Sequence, residues 1–137
     1  MYLIGFPLLV ITFALYNMIA FLTPIAWTAS IVTIHLISGQ DWTVTPEDII
    51  LAFAVVLLGV EVVKATRMGI RGLMDHILSM ILFIVMLVEF LLVQLAGTST
   101  FFILMVISLV DVLAGFIITA RTAQRDIQID RTADPTV

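Results

Sequence analysis

Three carboxylic acids lie inside long apolar runs of this sequence: Glu61, Glu89 and Asp111. A carboxylate at the middle of a bilayer costs ~2.5–3.5 kcal/mol on insertion scales, so each acid must face protein or water rather than lipid. Asp111 carries the clearest pattern. At helical spacing it shares one side of Thr100–Ala120 with Ser108, Gly115 and Thr119, and with Thr122 just beyond. Small residues let a second helix approach closely, so Ser108, Gly115 and Thr119 make a candidate packing face. Two chemistries fit the acids. They could form a ladder that passes a proton or cation across the membrane. They could instead be protonated or hydrogen-bonded carboxyls that lock helices or hold a partner subunit. Lys64 lies one turn from Glu61, a spacing at which side chains meet. It can also extend its ammonium to the membrane surface. Lys64, Arg67 and Arg71 are candidates for ion pairs or for contacts with anionic lipid headgroups, with Gly69-x-x-Gly72 as a loop between them.

Other chemistries find little support. A shared haem or metal would need His35 and His76 at one depth, and the topology below separates them by most of a membrane; each reads as a polar anchor. There is no cysteine, which removes disulfides and thiolate chemistry. No nucleophile elbow, zinc-binding helix motif or phosphate loop occurs. No catalytic residue, metal or cofactor is therefore expected. The formal net charge of −4 offers no basic surface for nucleic acid.

The elements that must position these acids are long and apolar. Of the 137 residues, 62% are hydrophobic, against about 45–50% in a soluble domain, and the excess is concentrated in runs. The expected fold class is all-α: a polytopic membrane protein with four transmembrane helices at about 3–22, 48–67, 76–96 and 101–120. Together they make a single domain over 1–122, followed by a tail over 123–137. Tyr2–Ile37 as one helix would be about 50 Å long, too long for a bilayer without strong tilt. Pro24 disfavours helix at Thr23, so 24–37 is expected as a separate helix, lying in the interface or re-entering. A single kinked, tilted helix is the alternative. Thr45-Pro46-Glu47-Asp48 carries the capping residue, proline and acids of a helix start. Gly97–Thr100 is a tight turn in which Ser99 or Thr100 caps the last helix. The tail, with Asp126, Arg131, Asp134 and Pro135, extends that helix a few turns and then frays.

Lys64, Arg67 and Arg71 flank one loop, and Arg121, Arg125 and Arg131 lie in the tail; the other two loops have no Lys or Arg. The positive-inside rule then puts both termini and that loop in the cytoplasm, with Trp42 as an anchor at the opposite surface. On this topology Glu61 lies in the cytoplasmic third, Asp111 near mid-depth and Glu89 toward the outer side.

The stretches TFALYNMIAFLTP, VEVVKATRMG, DHILSMILFIVMLVEFLLV and TSTFFILMVISLVDVLAGFIITARTAQRDI resemble a group of small four-helix proteobacterial inner-membrane proteins. The resemblance covers most of the chain, most distinctively Asp111–Asp126. It implies a bacterial cytoplasmic membrane and no particular activity. Small multidrug-resistance transporters share only the shape; their essential glutamate is in the first helix, where this chain has Asn17. Two functions are weighed, the first as the expectation and the second as the alternative. One is a non-catalytic accessory or assembly subunit of a larger membrane complex, docking through polar intramembrane faces. The other is a small oligomeric proton-coupled transporter or channel. The partners are the bilayer and other membrane subunits or further copies of the chain.

Overall fold

The computed structural model describes residues 6–23, 25–67 and 70–133, without the side chains of 70–72, 122, 126 and 128–133. The order of elements is α1 (Leu9–Leu22), β1 (Val32–His35), β2 (Asp41–Val44), α2 (Pro46–Arg67), α3 (Ile70–Leu92), a 3-10 turn at Gln94–Ala96, and α4 (Ser99–Ala133). Three helical stretches are long and apolar enough to cross a bilayer: Pro46–Arg67, Leu73–Leu92 and Ser99–Arg125. This is consistent with a membrane protein. α1 is shorter, at 14 residues, and begins after Pro7. The first residues of the span expected at 3–22 lie outside the described residues, as do Asp134 and Pro135. α4, at 35 residues, rises about 52 Å, well past a ~30 Å hydrocarbon core.

The capping signal before Pro46 works as the sequence predicts. The Thr45 hydroxyl accepts from the Asp48 amide at 3.3 Å, and the Asp48 carboxylate accepts from the Thr45 amide at 3.0 Å. This reciprocal pair satisfies two donors that α2 would otherwise leave orphaned.

α4 is the hub, packing along both α2 and α3 and also touching α1. Neighbouring helices alternate in direction. Phe90 of α3 stacks on Phe101 of α4 at one end, and His76 lies against Phe116 at the other. The Leu8 amide, at the start of α1, donates to the Glu61 carboxylate near the end of α2. One end of the bundle therefore collects Phe6, Lys64, Arg67 and the start of α3; the other carries the hairpin and the 3-10 turn. Tyr16 and Phe101 are fully buried in the core with Leu82, Met86 and Leu104. In lipid the gain from such burial is close packing rather than escape from water. The Tyr16 hydroxyl donates to the Leu95 carbonyl at 2.9 Å and shares a 2.7 Å hydrogen bond with the Thr98 hydroxyl, while its ring stacks on Trp27 with centroids 4.6 Å apart.

Two sequence expectations fail here. The first is the interfacial or re-entrant helix at 24–37. Val32–His35 instead pairs antiparallel with Asp41–Val44, setting Ile34 opposite Trp42 and His35 opposite Asp41. Val32, Thr33 and Ile34 are β-branched residues that suit a strand better than a helix. Gly39 closes the turn at a φ of 90°, where a side chain would be strained. The fold is thus mainly helical with one two-stranded hairpin. Pro24, expected to open the missing helix, lies outside the described residues. The second failure is the third helix, expected over 76–96: it begins six residues earlier, at Ile70, and so takes in Gly72 of the expected loop. α3 stops at Leu92 and a 3-10 turn follows. Thr98, rather than Ser99 or Thr100, caps α4, its hydroxyl accepting from the Phe101 amide at 3.2 Å. Its bond to Tyr16 fixes that hydroxyl in place.

Candidate functional site

α2, α3 and α4 each bring a short polar row to the same level near the basic end of the bundle. α2 contributes Glu61 and, one turn on, Lys64. α3 contributes Asp75, His76 and Ser79 from its first turns. α4 contributes Asp111, Gly115 and Thr119, which fall on one side because they are four residues apart. Glu61, Asp75, His76, Ser79, Asp111, Gly115 and Thr119 line a small cavity with about 20 Å³ of room for the centre of a water molecule. That is enough for one water. Glu61, Asp75, Ser79, Ser108 and Asp111 are all less than a tenth exposed.

Glu61 is the best-satisfied acid. Its Oε1 accepts from the Leu8 amide and from the Lys64 ammonium at 3.2 Å. A carboxylate at the start of α1 also complements the partial positive charge of that helix end. Lys64 donates to the Phe6 carbonyl at 2.9 Å and lies 3.9 Å from Asp75 Oδ1, beyond hydrogen-bond range. This one side chain therefore links the start of α1 to α2 and α3.

The other side of the cavity is under-satisfied. Among the described residues, Asp75 Oδ1, His76 Nδ1, Ser108 Oγ and Asp111 Oδ2 are buried without a hydrogen-bond partner. Buried polar atoms are rarely left so, and a carboxylate oxygen is the costliest kind to leave. The centre holds three carboxyl groups and, among the described residues, one ammonium. Gly115 makes the close packing feasible: a Cβ there would stand 2.9 Å from His76 Nδ1.

Of the three acids singled out in the sequence, the fold brings Glu61 and Asp111 together and leaves Glu89 apart. Glu89 is ten residues beyond Ser79 on α3, about 15 Å along the helix. Its Oε2 accepts from the Asn17 side-chain Nδ2 at 3.3 Å. Buried Leu82, Met86, Phe101 and Leu104 fill the level between. The proposed ladder is therefore interrupted by an apolar layer. Ser108 and Asp111 face the chain's own interior rather than a free docking surface. Arg67 is exposed; the side chains of Arg71 and Thr122 and all of Gly69 lie outside the described residues. His35 stands on the hairpin, 2.6 Å from Asp41.

Asp75 and Ser79 are not singled out in the sequence, and His76 is weighed there only as a haem or metal ligand and read as a polar anchor. The available signal was their spacing: 75, 76 and 79 share one side of a helix that is otherwise apolar to Val88.

No protein-family model, curated protein or solved structure matches the chain.

Proposed function

We propose that the chain is a multi-spanning bacterial inner-membrane protein that binds and releases protons at the Glu61–Asp75–Asp111 centre and couples this to transport, working as an oligomer. One observation carries the reading. Asp75 and Asp111 each present a buried carboxyl oxygen without a hydrogen-bond partner at the rim of one water-sized cavity, Asp75 Oδ1 having only the Lys64 ammonium at 3.9 Å. Carboxyls so placed gain from taking up a proton or a water, and intramembrane acids of this kind commonly serve proton movement. The apolar layer below Glu89 argues against an open channel through one copy and for a centre that loads from one face at a time.

In this proposal α1 is a fourth span, both termini and the basic end face the cytoplasm, and the hairpin faces outward. Cysteines placed at Arg67 and Arg125 are then shielded from an impermeant reagent in intact cells, while one at Gly39 reacts. The functional test is flux. Purified protein in liposomes is expected to dissipate or use a pH gradient, and Asp111→Asn to abolish that. Equal flux in the variant removes the acids from the mechanism.

A second reading, a non-catalytic accessory or assembly subunit, draws on a different feature. Gly59 lies on the exposed side of α2 with nothing near its Cα where a Cβ would stand, and Ala52, Val56 and Val63 extend that small-residue side. A partner helix could approach closely there. Stoichiometric co-purification with larger membrane proteins, lost in Gly59→Leu, supports this reading over transport.

A further inference from the structure

An acid centre that exchanges protons needs a group connecting it to water. The three carboxyls are fully buried, while Lys64 and His76 are half-buried. Lys64 is committed, since its ammonium donates to Glu61 and to the Phe6 carbonyl. His76 is not. Its ring lines the cavity, and its Nδ1 is buried there without a hydrogen-bond partner among the described residues. Facing it around the cavity are Glu61 and Lys64 from α2, Asp75 from its own helix and Asp111 from α4. Asp75 and Asp111, both more than nine-tenths buried, each hold one oxygen there without a hydrogen-bond partner among the described residues. Gly115 shapes the seat of the ring, because any side chain at that position meets Nδ1.

We propose that His76 is the relay through which protons enter and leave the acid centre, an inference that rests on the proton-binding reading above. An imidazole suits the task because it carries one proton position on each edge and can take up a proton at one while giving one up at the other. Inward transfer takes a proton from water onto Nε2, giving an imidazolium. Nδ1 then gives its proton to a carboxylate oxygen of Asp111 or Asp75, directly or through one water in the cavity. The carboxylate becomes a carboxylic acid, the imidazole is neutral again with its proton on Nε2, and tautomer exchange resets it. One proton is gained and no electron moves.

The test uses the full chain in lipid nanodiscs after a rapid pH step, read with a soluble pH indicator. It gives two quantities, the number of protons taken up and the rate of uptake. His76→Gln keeps the size and polarity of the side chain but cannot carry a proton. It is expected to leave the uptake by the acids intact and to slow it by about tenfold or more, with added imidazole restoring the rate. Gly115→Ala, which keeps the histidine but displaces its ring, is expected to slow uptake to a smaller extent, so it decides the matter should His76→Gln fail to fold. A folded His76→Gln protein with the wild-type rate and pH profile overturns the relay, as does a wild-type rate in Gly115→Ala. Asp111→Asn separates the two levels: if it binds as many protons as wild type, the proton-binding reading itself fails, whatever His76 does.

Discussion

Gly115 of α4 and His76 of α3 meet so closely that a methyl group on the glycine would stand 2.9 Å from the imidazole Nδ1. Gly115→Ala should therefore force the ring out of its seat. Overpacking of this kind costs about 1–3 kcal/mol. The expected result is a lower midpoint of thermal unfolding in detergent together with a shifted imidazole resonance for His76. An unchanged midpoint and resonance would show that the helices are not packed this way.

Glu61 and Lys64 tie the start of α1 to the end of α2. Glu61→Ala leaves the Leu8 amide and the Lys64 ammonium without their carboxylate acceptor. An unsatisfied buried donor costs about 1–3 kcal/mol. Lys64→Ala should also destabilise, and the double variant should lose less than the two single losses together, because the residues share one interaction. Strict additivity in unfolding measurements would refute the link.

Tyr16 holds the opposite end. Tyr16→Phe keeps the ring on Trp27 but loses the hydrogen bonds to the Leu95 carbonyl and the Thr98 hydroxyl. Each is worth about 0.5–1.5 kcal/mol. Faster amide exchange confined to the 3-10 turn and the first turn of α4 is the expected signature.

Gly39 is the only described residue at positive φ outside the usual range for side chains. Gly39→Ala places a Cβ in a left-handed region that costs about 1–2 kcal/mol. The hairpin amides of Thr33 and Thr43 should then exchange faster, while amides in α2 and α4 keep their wild-type protection.

Much of the helical frame was legible because its signals are local or additive. The apolar runs mark the long helices by length alone, and the cap at Thr45 needs only its own neighbours. The hairpin was harder. Its segment has the apolar content of a helix, and only the β-branched Val32–Ile34 and the Gly39 turn distinguish it. Thr98 was missed as a cap because its hydroxyl is fixed by Tyr16, 82 residues away. The candidate site was half legible. Acids in apolar runs stand out in any sequence, so Glu61 and Asp111 were found. Asp75 and His76 sit where a helix start explains polar residues equally well. Nothing local tells that α4 lays Gly115 against that start, nor that Leu82, Met86 and Phe101 separate Glu89 from the other two acids.

That dry separation has an electrical consequence. On the proposed transmembrane arrangement, the field of an energised membrane would fall mainly across the apolar layer of about 15 Å between Ser79 and Glu89. A charge reaching the cavity from the basic end would cross little of the voltage. A charge carried onward to Glu89 would do work of about 2.3 kcal/mol for every 100 mV it traverses.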